Sequence, residues 1–293
     1  MSKQIDKPKK CKRRLLRYSL RTLLIAMLLL SVGLAWFGIK FQKVQSRRQT
    51  VARIEQLGGY VHHHHDLDWE QIPIDATSIQ IPEPPGPSWM RKILGEDFFV
   101  EVQEISLANR QASNDILIGV GKLESLERLD LTWTKISDSG IKSLDGLTNL
   151  KWLALANTRI SDASVYHLSA LEQLTVLSLA DTRVTDAGLV HLAKLTKLEV
   201  LNLQNTLVSD AGMRQVGRLT NLRELNLSST NVSDKGLVHL YSLSNLRWLD
   251  LINTDVSTTG LAKLKQQMTL QTLNAPFAEV DVGGQIELQR IGN

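Results

Sequence analysis

Cysteine is nearly absent from this chain of 293 residues. The single cysteine, Cys11, excludes an intramolecular disulfide and a zinc site built from paired cysteines. It lies before the long apolar run of the chain, so it is not placed like a lipoprotein acceptor. With 43% apolar residues, the chain can still bury a sizeable core, as one large domain or as two.

Positive charge is scarce beyond the amino-terminal part. Residues 1–21 contain nine Lys or Arg and one Asp, a net charge of +8, and four further basic residues precede position 49: Lys40, Lys43, Arg47 and Arg48. Since the whole chain has a formal net charge of +4, the residues after position 48 carry a net charge of −8. Such an acidic body argues against a nucleic-acid partner.

Charge is absent altogether from residues 22–39. These 18 residues can cross most of a bilayer core as a helix, with Tyr18 before them and Trp36-Phe37 near their end at interfacial depth. Nine basic residues before the run and four soon after it predict a cytoplasmic amino terminus. We therefore predict a basic cytoplasmic head (1–21), a transmembrane signal anchor (22–39) in the cytoplasmic membrane, and an extracytoplasmic body.

A cleaved signal peptide is the alternative interpretation of this run. Gly33-Leu34-Ala35 offers small residues at a plausible cleavage spacing. Against cleavage, the run is long for a signal peptide and stays apolar through Trp36, Phe37 and Ile39. In both interpretations the body leaves the cytoplasm.

A repeat of 24 residues dominates the rest of the chain. Six copies run from Glu124 to Gln267, a degenerate copy precedes them, and a partial copy follows. Each copy has an LxxLxL segment, a turn, and a segment with apolar residues three apart, which predicts a strand, a turn and a helix. One such unit cannot bury its apolar face alone, so the copies are expected to stack into a solenoid.

This pattern resembles the leucine-rich repeat, in the variant related to cysteine-containing repeats. The residue after the strand is always Thr, at Thr134, Thr158, Thr182, Thr206, Thr230 and Thr254. The resemblance implies an α/β horseshoe with a parallel sheet on its concave face and helices on its convex face. We expect the Thr hydroxyls to bond to the backbone of the neighbouring coil.

Three residues after each Thr comes Ser or Thr, usually followed by Asp, as in Ser209-Asp210. These side chains are expected to cap the convex helices. The aspartates lack the clustered oxygen ligands that calcium needs. His167, His191 and His239 share one column of the helical segment, and we interpret them as exposed convex residues with no ligand role.

The side chains that alternate with the buried leucines of the strands are the candidate partner-binding residues. Exposed tryptophan is a common interface residue, and Trp133, Trp152 and Trp248 are predicted to face solvent from the strands. An alternative is that they pack on each other or on a flanking segment. The predicted site also includes Arg128, Glu224 and Asp250, and a basic ridge of Lys135, Arg159 and Arg183.

Segments outside the repeats are predicted to cover the ends of the solenoid. Residues 40–59 form a juxtamembrane helix that Gly58-Gly59 stops, residues 60–99 form the amino-terminal cap, residues 100–275 form the solenoid, and residues 276–293 form a carboxy-terminal cap or tail. This organisation resembles bacterial membrane-anchored leucine-rich-repeat proteins. The resemblance implies an architecture and no specific mechanism.

Four consecutive histidines raise the question of a metal site. If residues 60–74 are extended, His62 and His64 share one face and His63 and His65 the other. With Asp66 or Asp68 nearby, each pair can chelate zinc, nickel or copper weakly. The other interpretation is a polar edge of the cap. A purification tag does not fit, because the run is internal.

The repeats contain no evident catalytic constellation, so we predict neither an enzyme nor a cofactor. The favoured function is a membrane-anchored protein whose concave face binds an unidentified protein or cell-envelope ligand, without nucleic acid. The first alternative is a metal-binding envelope protein that uses His62 to His65. The second is an intracellular adaptor, since this repeat type resembles the substrate-recognition arms of ubiquitin-ligase adaptors, although the span and the lack of an F-box-like segment argue against it.

Overall fold

Short strands recur every 24 residues in the computed structural model, which describes residues 20–63, 87–95, 98–275 and 278–281. The strands are β1 Tyr60–His63, β2 Val102–Ser106, β3 Arg128–Asp130, β4 Trp152–Ala154, β5 Val176–Ser178, β6 Val200–Asn202, β7 Glu224–Asn226, β8 Trp248–Asp250, β9 Thr272–Ala275 and β10 Ala278–Asp281. They form one sheet in chain order. β2 to β9 are parallel, while β1 and β10 add antiparallel strands at the two edges.

A helix follows each strand of the repeats and returns the chain to the next strand. The helices are α1 Leu20–Gln56, α2 Ser88–Leu94, α3 Asn114–Val120, α4 Asp138–Ile141, α5 Asp162–Leu168, α6 Asp186–Leu192, α7 Asp210–Val216, α8 Asp234–Leu237 and α9 Thr258–Gln267. Two 3-10 segments, Lys142–Leu144 and Val238–Ser242, continue α4 and α8. Successive helices from α3 to α9 contact each other and form a layer against the sheet.

The core lies between these two layers. The central leucine of each strand pairs in register with that of the next coil, as Leu177, Leu201 and Leu225 do, and all three are fully buried. Burying one leucine stabilises the fold by about 1.5–3 kcal/mol. Side chains on either side of the central leucine, such as Val200 and Asn202 in β6, face away from the helices. We call this surface of β2 to β9 the open face.

The chain divides into two compact units, residues 1–44 and residues 45–293. In the first unit, the large apolar side chains of α1 from Leu23 to Phe41 are exposed, whereas Val44 is buried. Among the described helices, α1 alone is long and apolar enough to cross a membrane, and a signal sequence would have the same properties.

In the second unit, the last turns of α1 cover the first coil of the solenoid. Ile54 is fully buried in the core, and Thr50 lies so close to Gly119 of α3 that a larger residue at 119 would clash. The last turns of the predicted juxtamembrane helix (40–59) therefore also pack on the solenoid. Arg53 and Asp115 form an ion pair of 3.5 Å at its surface.

The other described parts of the caps are β1 and α2 at one end and β10 at the other. β1 pairs with β2, and the carbonyl oxygen of Leu94 at the end of α2 accepts a hydrogen bond of 3.0 Å from Arg48 Nη2. β10 pairs with β9. Phe98, in the predicted amino-terminal cap, is also buried. Residues 64–86, 96–97, 276–277 and 282–293 of the predicted caps lie outside the described residues.

The Thr column stabilises each coil from within. Thr206 Oγ1 donates to the carbonyl oxygen of Leu203 at 2.6 Å, and each of the other five Thr hydroxyls donates to the residue three positions earlier. The expected bond to the neighbouring coil is therefore wrong. The Thr side chain satisfies a carbonyl group of its own turn, where the strand has ended.

The Asp column, in contrast, joins neighbouring coils. Asp186 Oδ1 accepts from the backbone N–H of Ser209 at 2.8 Å, and Asp186 Oδ2 accepts from the Ser209 hydroxyl at 2.6 Å. The same pair of bonds recurs from Asp138, Asp162, Asp210 and Asp234 to the next coil. The expectation that these carboxylates cap their own helices is wrong. We call this series of bonds the Asp ladder.

The hydroxyls of the ladder also cap helices in part of the solenoid. Thr185, Ser209, Ser233 and Ser257 each accept from a backbone N–H in the first turn of their own helix, as predicted, at 3.1–3.4 Å. Ser137 and Ser161 make no such bond. The same hydroxyl can therefore donate to the previous coil and accept from its own helix.

Asp138 is held as a carboxylate by its neighbours. Burial opposes its ionisation, but hydrogen bonds donated by Ser164 and Ser161 outweigh burial, so the pKa of Asp138 lies below its ordinary value. A carboxyl group with a lower pKa in the folded state stabilises the fold above its unfolded pKa, and this contribution disappears as the pH falls through the folded pKa.

We expect Asp138→Asn to lower the free energy of unfolding by about 1–2 kcal/mol near pH 7. The amide keeps one acceptor oxygen, as Asn114 does at the equivalent position of the preceding coil, where Asn114 Oδ1 accepts from the Ser137 N–H at 3.0 Å. The difference from the native chain should shrink below about pH 4. Denaturant unfolding at a series of pH values measures it, with exposed Asp255→Asn as control. A difference that stays constant into acid would contradict this assignment.

Candidate binding face

Trp152 is the central aromatic residue of the open face at its amino-terminal end. It lies on β4, half-buried, and the guanidinium group of Arg128 on β3 stacks over its ring at 5.0 Å from the centroid. Arg128 also lies 3.7 Å from Glu104 on β2. The three side chains form a connected group across three strands, so Trp152 is partly covered by Arg128.

A second aromatic residue, Trp248, lies on β8 towards the other end of the open face. It is half-buried, and its register partner on β7 is the exposed Glu224. Val176 and Val200 separate this pair from Trp152 in the same row. In this row, two valines therefore separate two pairs, each made of a tryptophan and a charged residue: Arg128 with Trp152, and Glu224 with Trp248.

Asp250 belongs to the scaffold. It is 9% exposed, its Oδ1 accepts from the Ile252 N–H at 2.9 Å, and its Oδ2 lies 3.3 Å from Asn274 Nδ2. The side chains at the same position of other strands make the same turn bond, from Asp130, Asn202 and Asn226. Both carboxylate oxygens of Asp250 are engaged, so we leave it out of the binding face that we propose below.

The turn after each of the strands β2 to β8 contains one residue with a left-handed backbone. Six coils have Asn, Asp or Ser there, the types that tolerate this conformation: Asn109, Asn157, Asp181, Asn205, Ser229 and Asn253. The seventh is Trp133, with a φ of 58° and a side chain that is 58% exposed. Trp133 thus lies in a turn, whereas we had predicted a position on a strand. A left-handed backbone is strained for a residue with such a bulky side chain.

Two positions further on, a row of exposed side chains follows the edge of the solenoid. Parallel bridges join Ser137 to Arg159, Ser161 to Arg183 and Thr185 to Leu207, which keeps successive coils in register. Lys135, Arg159 and Arg183 are all exposed, and Leu207 is 58% exposed. We call Lys135, Arg159, Arg183 and Leu207 the rim row. The first three are the predicted basic ridge, and Leu207 extends it.

The convex histidines are less uniform than expected. His239 is exposed as predicted, but His167 Nδ1 lies 3.2 Å from Asp145 Oδ2, and His191 packs edge-on against Tyr166 at 5.3 Å. The prediction of exposed side chains is therefore wrong for His167 and His191. Both are half-buried because the side chains of the preceding coil cover them.

The histidine cluster is described only in part. His62 lies opposite Glu104 on the antiparallel pair β1 and β2, with its Nδ1 3.3 Å from the Tyr60 hydroxyl, and the register shifts between His62 and His63. His64, His65 and Asp66 lie outside the described residues. Within the described ranges, no group of three His, Cys, Asp or Glu side chains is arranged to hold a metal ion.

The structure adds two features to the candidate site that sequence reasoning missed. One is Leu207, whose signal in the sequence is an apolar residue in a column that otherwise reads Gln111, Lys135, Arg159, Arg183, Asn231 and Asp255. The other is the turn position of Trp133. Its signal is a column of Asn, Asp and Ser in the other coils.

Known repeat families match this part of the chain. A family described as "Leucine Rich repeats (2 copies)" matches residues 172–215, and one described as "Leucine Rich repeat" matches residues 122–144 and 218–240. No curated protein matches the chain.

Two solved structures are similar to the chain. One is internalin C2 of Listeria monocytogenes, with 26% identity, a TM-score of 0.45, and coverage of 59% of this chain and 81% of that one. The other is PEPR1-AtPEP1, with 20% identity, a TM-score of 0.42, and coverage of 60% of this chain. The chain spans only 25% of the length of that second structure.

The family matches fall on repeats whose strands are parallel and whose helices lie on one side of the sheet. The chain therefore folds as a leucine-rich-repeat solenoid.

Proposed function

We propose that this chain is a non-catalytic binding protein, anchored in the cytoplasmic membrane by residues 22–39, whose open face binds a protein or cell-envelope ligand outside the cytoplasm. We also propose that its repeats belong to the variant of the leucine-rich repeat with Thr directly after the strand. The basic residues before the apolar run support the orientation, because lysine and arginine remain on the cytoplasmic side.

One observation supports the binding role above the others. Polar side chains that recur in most coils, the Thr column and the Asp ladder, are engaged within the scaffold. On the open face, in contrast, the row that contains Trp152 changes from charged to aromatic to aliphatic between coils. A surface that varies while its scaffold repeats is the surface where a specific ligand is recognised.

Crosslinking on whole cells tests both parts of the proposal. The full chain is treated with an amine-reactive crosslinker that does not cross the cytoplasmic membrane, and it is compared with Trp152→Ala/Trp248→Ala. We expect the native chain to be crosslinked to a partner and the double variant to lose most of that product, because truncating interface tryptophans commonly weakens binding about tenfold or more. Trp89→Ala, which alters an exposed tryptophan on α2, is the matched control.

The outcomes separate the two parts. If the reagent modifies the chain only after the cells are lysed, the proposed orientation is wrong. If the native chain and the double variant give the same products, the tryptophans of the open face do not bind the partner.

A further inference from the structure

Three cations of the rim row have no anionic partner among the residues that the structure describes. Lys135, Arg159 and Arg183 are exposed, and no carboxylate in the described ranges lies within ion-pair distance of them. Asp181, which is the acidic residue outside the ladder nearest to Arg183 along the chain, accepts a hydrogen bond of 2.7 Å from Asn205. The ridge therefore presents unneutralised positive charge.

The register sets the spacing of these cations. Backbone N–H groups of Arg159 and Arg183 donate to the preceding coil, to Ile136 at 2.8 Å and to Ile160 at 3.1 Å. Adjacent strands lie about 4.8 Å apart, so three coil steps, from Lys135 to Leu207, extend about 14 Å. Positive charge then recurs at intervals close to one turn of an α-helix.

One exposed apolar residue lies in the first coil of the rim row, beside Lys135, and another lies in the last coil, beyond Arg183. Trp133 lies two residues before Lys135, and Leu207 follows Arg183 in the next coil. Trp133 is held in a left-handed turn where every other coil has a small polar residue. Within the described ranges no aromatic ring or cation stacks on its ring, and more than half of the residue is exposed, which makes Trp133 a candidate contact residue.

We propose that Trp133 and the rim row form a docking site for an acidic helical segment of a partner protein, with apolar residues beyond its carboxylates at both ends. The Cβ atoms of glutamates or aspartates three and four residues apart on a helix are about 5–6 Å from each other, which is close to the spacing of the cations. Alternate residues of a strand, in contrast, are about 6.7 Å apart. Apolar ends favour a polypeptide over a phosphate polymer, which is charged along its whole length. The proposal names the ligand chemistry of the binding role proposed above and rests on it.

Peptide binding tests this site directly. The probe is a fluorescent, amidated helical peptide with three glutamates on one face and a leucine one turn beyond them at each end. Its anisotropy is measured with the full chain in detergent micelles at an ionic strength of about 0.05 M. We expect saturable binding that weakens with added salt. A probe with glutamine in place of glutamate should bind about tenfold more weakly.

Matched variants separate this site from a general charge effect. Lys135→Gln/Arg159→Gln/Arg183→Gln should weaken binding about tenfold or more. Lys142→Gln/Arg214→Gln/Arg218→Gln removes the same charge from exposed residues of the helical layer and should leave binding within about twofold. Equal losses in the two triple variants would overturn the proposal.

Two apolar variants complete the test. Trp133→Asn should weaken binding about tenfold, yet unfold at the same or a higher denaturant concentration, because asparagine tolerates the left-handed turn. Leu207→Asn should weaken binding, whereas Val190→Asn, on the helical layer and 52% exposed, should not. Unchanged affinity in both Trp133→Asn and Leu207→Asn, with inorganic polyphosphate displacing the probe, would mean a general anion site and overturn the proposal.

Failure here can be distinguished from failure of the proposed function. The peptide assay uses purified protein and does not depend on membrane orientation. If crosslinking on whole cells depends on Trp152 and Trp248 while the acidic probe does not bind, only the docking proposal is wrong.

Discussion

Leu201→Ala is expected to lower the free energy of unfolding by about 3–5 kcal/mol. Leu201 is fully buried in β6, in register with Leu177 and Leu225 of the neighbouring coils. Truncation removes apolar contacts and leaves a cavity that the surrounding strands cannot close. Because the coil lies in the middle of the solenoid, both of its interfaces are weakened.

Unfolding of the full chain by denaturant in detergent micelles, followed by circular dichroism, measures the loss. Val200→Ala is the control, since Val200 is the adjacent strand residue on the open face and should cost less than about 1 kcal/mol. In a solenoid, each coil contacts only its neighbours, so Leu201→Ala should also broaden the transition as the two halves unfold more independently. Equal losses in the two variants would contradict the assignment of the two faces.

Gly212→Ala is expected to cost about 1–3 kcal/mol, although alanine is the better helix former. A Cβ atom at Gly212 would collide with Asp186 Oδ1 of the preceding coil and lie 2.7 Å from Leu189 Cδ1. The collision would displace the carboxylate from the Ser209 N–H that it binds. This glycine therefore makes room for the Asp ladder.

Gly212→Ser should cost less than Gly212→Ala, in spite of its larger side chain. Ser164 occupies the same position of its coil, and its hydroxyl donates to Asp138 Oδ1 at 2.5 Å. In the double variant Gly212→Ala/Asp186→Ala, the losses should be less than additive, because the collision and the ladder bond disappear together. Denaturant unfolding measures all these variants. A serine variant less stable than the alanine variant would contradict the role of this site.

The period of 24 residues was enough to predict the solenoid, the parallel strands and the inward leucines, because each repeat reports the same burial pattern. It was not enough to predict where the aspartates bind. Along the chain, Asp186 precedes its own helix like a cap, and only the stacking of coils brings Ser209 to it. The sequence did contain a signal, since glycine is unfavourable inside a helix and yet recurs two residues after the Asp, as Gly212 follows Asp210.

Two further features, the turn position of Trp133 and the packing of α1 on the solenoid, were also missed from the sequence. Trp133 was placed on a strand because its neighbours alternate, yet the Asn, Asp and Ser residues of its column are typical of a left-handed turn. The amino-terminal cap was predicted to be residues 60–99. The packing of the last turns of α1 on the solenoid was missed, because the contact between Thr50 and Gly119 joins positions far apart in sequence. A periodic pattern predicts which residues of a repeat are buried, but it does not predict contacts between distant segments.

The Asp ladder has a direction. Every carboxylate accepts hydrogen bonds from the following coil. Before the first carboxylate, the amide oxygen of Asn114 accepts from Ser137 in the same way, and the series ends at Ser257, which is followed by Thr258 where the five preceding coils have Asp. Removing coils from the carboxy-terminal end would leave an acceptor that water can satisfy. Removing them from the amino-terminal end would leave a half-buried N–H group and a hydroxyl without their acceptor, which is the costlier loss. The two ends of the solenoid are therefore unequal, and shortening from the carboxy-terminal end is the gentler way to change its length.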